Sequence, residues 1–117
     1  MHQDLEKLIS LNDLDTMIAD LGRADIRQQE EGLGLSPEQA LVELGKMRGI
    51  LVESIRKRWF SLYCQVCARY SNAVVPVVHN RCSGCFTMLP TSVNYAGDRN
   101  EQVQTCSICG RIIYWAD

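Results

Sequence analysis

The chain has 117 residues, 22% of them charged, and a net charge of −2. That length suits one domain, or a small domain with an extension. No stretch approaches the roughly 20 apolar residues of a membrane span, and the opening Met1-His2-Gln3-Asp4-Leu5-Glu6-Lys7 is polar rather than signal-like, so a reducing cytoplasm is the expected home of the six cysteines.

Charge is informative once it is divided. Residues 1–35 carry eight acidic and three basic side chains, and residues 36–72 carry three acidic and six basic ones. Residues 73–117 balance at three of each. An acidic first segment and a basic second one favour pairing with each other.

The first segment reads as a helix. Leu5, Leu8, Ile9, Leu11, Leu14, Met17, Ile18 and Leu21 recur in steps of three and four, the period of one helical face. The pattern weakens at Gly22, and Gly32-Leu33-Gly34 breaks it. Ser36 is a good N-cap, Pro37 suits a first helical turn, and Gln39 completes a capping box. A second apolar series then runs through Leu41, Leu44, Met47, Leu51, Ile55, Trp59, Leu62, Val66 and Tyr70. It predicts one helix of about eight turns, roughly 45–50 Å long. Two such helices joined by a short glycine turn are expected to fold back as an antiparallel hairpin over residues 1–72, with its tip near 32–35. Its uncovered face is a candidate homodimer surface. His2 is expected to be a solvated terminal residue, and no catalytic constellation is expected at Asp13, Asp15 and Asp20.

Residues 73–117 change character. Ala73-Val74-Val75-Pro76-Val77-Val78 reads as a strand, with Pro76 placing it at an edge or a bend. His79 reads as a turn residue. Cys82-Ser-Gly-Cys85, twenty intervening residues and Cys106-Ser-Ile-Cys109 follow, with a turn near Gly97-Asp98 between them. Arg111 to Trp115 leaves the second pair as a strand. Two CxxC pairs at this spacing suit one tetrahedral zinc ion, with two disulfides or a redox pair as the alternatives. Gly84 and Gly110 sit where such turns need backbone freedom. Four thiolates leave no open position for water, so the site would be structural. The expected architecture is α+β: an antiparallel two-helix hairpin, then a small C4 zinc ribbon with a short antiparallel sheet. About 45 residues bury little core, so the metal would supply folding free energy on the order of 10 kcal/mol.

The stretch Pro76 to Cys85, then Leu89-Pro90, then Cys106 to Tyr114 resembles the bacterial C4-type zinc-ribbon family. The start Leu5-x-x-Leu8-x-x-Leu11-x-x-Leu14-Asp15 is similar to that family's helical start. The resemblance implies a long helical hairpin before the ribbon and no enzyme activity. It also implies a nucleic-acid-binding or transcription-linked adaptor, with flagellar or secretion regulation suggested for some members.

The remaining candidates are weaker. Cys64-Gln65-Val66-Cys67 lies inside the helical pattern and reads as a pair of buried small hydrophobes, with a redox pair or an intermolecular metal site as the alternatives. Arg56, Lys57, Arg58 and Arg69 are candidate phosphate contacts, expected to meet Arg81, Arg99 and Arg111 from the ribbon. Phe86, Tyr95, Tyr114 and Trp115 are candidate stacking surfaces for single-stranded RNA or DNA. Glu30 and Glu31 place two acids at the hairpin tip, similar in outline to factors that insert an acidic coiled coil into RNA polymerase. A protein-interaction adaptor docking on polymerase, a sigma factor or a secretion component is therefore the alternative function.

Overall fold

A computed structural model describes residues 2–21, 37–94 and 99–115. The described chain is a mixed α+β fold of four helices and a four-stranded sheet. Helix α1 spans Gln3–Leu21 and buries Leu5, Leu8, Leu11 and Leu14, the stripe that its apolar period marks. Its start is capped by His2, whose Nδ1 accepts the Asp4 backbone N–H at 3.1 Å. His2 is thus a structural cap rather than a free terminal side chain.

Helix α2 spans Pro37–Ser54 and α3 spans Lys57–Cys67. The single long helix expected over this stretch is therefore two. At Arg56 the backbone is extended, with φ −62° and ψ 139°. No glycine or proline causes this break. Ile55 is buried among Leu5, Leu8 and Leu11, and Arg56 turns to Asp4, with Nε 3.5 Å from Oδ2. Tertiary packing overrides helical propensity here. Contacts fix the directions on either side of the break. Lys7 Nζ reaches the Ser54 carbonyl at 3.1 Å, while Arg48 reaches Asp15, so α2 runs antiparallel to α1. Arg56 meets Asp4 and Tyr63 meets Asp15, so α3 returns along α1 in its own direction.

The sheet comprises β1 (Val74–Val78), β2 (Arg81–Cys82), β3 (Gln104–Thr105) and β4 (Ile112–Trp115), in the order β2-β1-β4-β3. Strands β1 and β4 are parallel, with Val74 beside Ile112 and Val77 beside Trp115. This departs from the antiparallel sheet expected, and it makes β1 a central strand despite Pro76. The proline is tolerated because β2 pairs only with Val77 and Val78, leaving no ladder donor to be missed on that side. The Pro76 carbonyl there accepts the Ser83 backbone N–H at 3.2 Å and its hydroxyl at 2.6 Å. His79 and Asn80 both take positive φ, which a two-residue hairpin between β1 and β2 favours.

Each face of the sheet meets its own core. Val74 and Ile112 join Leu5, Leu8, Leu11, Tyr63 and Val66 of the helices. Val75, Val77, Ile113 and Trp115 face Leu89 and three of the cysteines. The run is apolar on both faces at Val74, Val75 and Val77 because each face there is covered, while Val78 at its end is exposed. Asn12 ties α1 to the start of β1. Its Oδ1 accepts the Ala73 N–H and its Nδ2 donates to the Val74 carbonyl. The remaining helix, α4 (Thr91–Asn94), is a single turn between the cysteine pairs. No described helix is long and apolar enough to cross a membrane. The proposed hairpin tip at 32–35, with Glu30 and Glu31, lies outside the described residues.

Candidate metal centre

Each cysteine pair sits on a turn of the same construction. The Phe86 N–H donates to the Cys82 carbonyl at 2.7 Å, and the Gly110 N–H donates to the Cys106 carbonyl at 2.9 Å. The residue after each second cysteine takes positive φ, 63° at Phe86 and 85° at Gly110. Gly110 thus has the conformational role expected of it. Gly84 has a different one: a Cβ there would lie 2.5 Å from Arg111 Cδ. A side chain there would displace the arginine from its place over the turn.

The four sulfurs of Cys82, Cys85, Cys106 and Cys109 lie within 4.8 Å of one another. Across the two turns, Cys82 Sγ lies 3.8 Å from Cys109 Sγ and Cys85 Sγ 3.7 Å from Cys106 Sγ. These distances are far too long for disulfides, whose sulfurs lie about 2.05 Å apart. They match the roughly 3.8 Å edge of a tetrahedron whose four sulfurs sit about 2.3 Å from a central ion. Four cysteines in this arrangement could hold one metal ion, and the donor set fits a soft or borderline cation.

The thiols are not equivalent before metal binds. Burial pushes Cys82 up to about 12, against the partial help of the Cys85 and Gly84 N–H groups. Cys85 is drawn down to about 6, chiefly by hydrogen bonds from the Thr87 side chain and backbone. One ligand is thus a thiolate near neutral pH, and another must lose its proton to the metal.

A ring of side chains braces the centre. The Tyr70 hydroxyl donates to the Cys109 carbonyl at 3.0 Å. The Arg111 guanidinium lies 3.8 Å from the Tyr70 ring centroid, and Arg69 lies 5.3 Å from it. Arg111 Nε also donates to the Asn72 carbonyl at 3.1 Å.

The seven basic candidates do not gather on one surface. Arg69, Arg81 and Arg111 flank the metal turns, where an Arg81 guanidinium N–H donates to the Phe86 carbonyl at 3.3 Å. Arg56 and Arg58 lie near the start of α1, Arg56 on Asp4 and Arg58 over the Trp59 ring at 4.4 Å. Arg99 packs over Trp115, next to Asn100, whose carbonyl accepts the His2 N–H. Lys57 sits at the bend between α2 and α3. The aromatic candidates divide as well. Phe86 is 71% exposed, whereas Trp115 is buried and Tyr114 packs against the helical core. Tyr95 lies outside the described residues.

Cys64 and Cys67 are exposed on α3, not buried as expected. The residues of α3 that face inward are Tyr63 and Val66. Sequence reasoning also missed the junction of α1, α2 and α3 at Asp15. There Oδ1 accepts from Arg48 Nε at 2.6 Å and Oδ2 accepts from the Tyr63 hydroxyl at 2.7 Å. Its only sequence signal is an aspartate beside a core leucine.

Neither a protein-family model nor a curated protein matches the chain. Two solved structures do. CT398 from Chlamydia trachomatis is 25% identical, with a TM-score of 0.61 over 78% of this chain. The HP0958 protein from Helicobacter pylori is 23% identical, with a TM-score of 0.60 over 80% of this chain. The second likeness shows the fold alone. The matches span 37% and 38% of those chains, so this chain corresponds to little more than a third of either.

Proposed function

We propose that the chain is a non-enzymatic, cytoplasmic zinc-ribbon protein that binds single-stranded RNA or DNA beside its metal centre. In this reading one structural zinc sits on Cys82, Cys85, Cys106 and Cys109, and residues 73–117 form a ribbon carried on the helices of residues 1–72. The observation that carries the reading is Phe86. Its ring is 71% exposed at the Cys82–Cys85 turn, with Arg81 bonded to its carbonyl and Arg111 crossing the same turn. An exposed aromatic ring on a turn that also carries arginines suits an unpaired base and its phosphates. Zinc would fix the turn, and Arg69, Arg81 and Arg111 would meet the backbone.

Fluorescence anisotropy with short RNA and DNA single strands, across a salt series, tests this. Phe86→Asn removes the ring yet tolerates positive φ. It should weaken binding about tenfold, within the ~1–3 kcal/mol of one stacked base, and leave the salt slope unchanged. Arg69→Gln with Arg81→Gln should flatten the slope by about two. Unchanged affinity and slope in both variants, with zinc retained, would reject the nucleic-acid reading.

A protein-adaptor role is the second reading. It is favoured by an apolar groove of ≈ 550 Å³ between α1 and α2, where Met17, Met47 and Ile50 are exposed.

A further inference from the structure

Cys64 and Cys67 are the two thiols that the four-cysteine centre does not use. They sit three residues apart in the last turns of α3, and both are exposed. Side chains at this spacing project from neighbouring parts of one helical surface, with Cβ atoms about 5–6 Å apart. Each cysteine adds one rotatable bond, so both sulfurs can turn onto one ion from the solvent side. Exposure lets an ion and its exchange partner approach from solvent, although partial burial beside Tyr63 pushes the Cys67 thiol up.

The number of donors selects the metal. Among the described residues, the only group of three or more His, Cys, Asp or Glu that could share an ion is the four-cysteine centre. Cys64 and Cys67 therefore offer two sulfurs and no further protein ligand. Zinc requires four ligands in a closed protein site, so this pair suits it poorly. Copper(I) is softer, prefers thiolate, and is satisfied by two sulfurs. We propose that Cys64 and Cys67 form a solvent-facing two-thiolate site for a soft monovalent ion of the copper(I) class. Two thiols bind one Cu⁺ and release two protons, with no change of oxidation state. The resulting bis-thiolate carries one negative charge. The charged groups facing this part of α3 are Arg48, which interacts with Cys64 and Cys67, and Asp15, which pairs with Arg48 at 2.6 Å and opposes added negative charge at Cys67. An exposed pair of this kind can pass the ion to another dithiol by ligand exchange, which a closed four-cysteine site resists.

The test uses the full chain loaded with zinc, titrated anaerobically with copper(I) against a chromophoric copper(I) chelator. Released zinc and the mass of the species in solution are measured in parallel. The expected result is one copper per chain, with zinc retained and the protein's association state unchanged. Cys64→Ser and Cys67→Ser should each weaken copper retention by about 100-fold or more, the gain a second tethered ligand brings. Both positions are exposed, so the variants should keep their fold, which retained zinc confirms. Copper uptake that persists in the double serine variant would overturn the proposal. So would uptake matched by zinc release, copper that appears only as a bridge between two chains, or failure to hold copper against the chelator.

Discussion

At the scale of residues, the two cysteine pairs show how backbone and environment divide one task. Cys85 is held down to about 6 by Thr87, while burial holds Cys82 up to about 12. Metal binding requires thiolates, so it competes with protons and weakens as pH falls. The sign follows from the two values. Between about pH 6 and 8 Cys85 is already deprotonated in the metal-free protein, whereas Cys82 must release its proton on binding. Below about 6 Cys85 takes up a proton as well, so the loss of affinity with falling pH steepens there. A zinc competition titration from pH 8 to pH 5 should show this increase in slope. A pH-independent affinity would contradict it. The spacing of these cysteines was legible in the sequence because CxxC geometry is local. The reason for Gly84 was not, because Arg111 is distant in sequence and meets it only after folding.

At the scale of elements, α1 was readable and α2 with α3 only half so. The stripe Leu5, Leu8, Leu11 and Leu14 is buried as its period predicts. The second stripe keeps its helical phase through Leu51, Ile55, Trp59, Leu62 and Val66, yet the helix breaks at Ile55 and Arg56. The phase survives because both α2 and α3 pack on α1, so residues on each side of the break still need an apolar face. The parallel pairing of β1 and β4 was illegible for a similar reason: pairing between distant strands leaves no local pattern. Asp15 is what joins the three helices. Burial and the bond to Asp15 push the Tyr63 hydroxyl far up, so it remains a donor at ordinary pH. Asp15→Ala would strand a buried donor and should cost about 1–3 kcal/mol, whereas Tyr63→Phe should cost about 0.5–1.5 kcal/mol. Urea unfolding would check the order. Equal stability of Asp15→Ala and the parent chain would remove Asp15 from the account.

At the scale of the whole molecule, the sheet couples the four-cysteine cluster to the helices. One face of β1 and β4 carries Val74 and Ile112 into the helical core, and the other carries Val75 and Ile113 toward the cysteines. Loss of metal should therefore loosen the helices too, rather than only residues 73–117. Chelation should lower helical circular dichroism and change the fluorescence of Trp59 and Trp115 in one transition. Helical signal that stays constant while the cysteine region unfolds would show two independent units. The central claim is that Cys82, Cys85, Cys106 and Cys109 together hold one structural zinc. Elemental analysis of freshly purified protein, alongside the Cys106→Ser variant, tests it most directly. The account predicts one zinc per chain in the parent and none retained in the variant. A parent chain without zinc, or a variant that keeps it, would contradict the account.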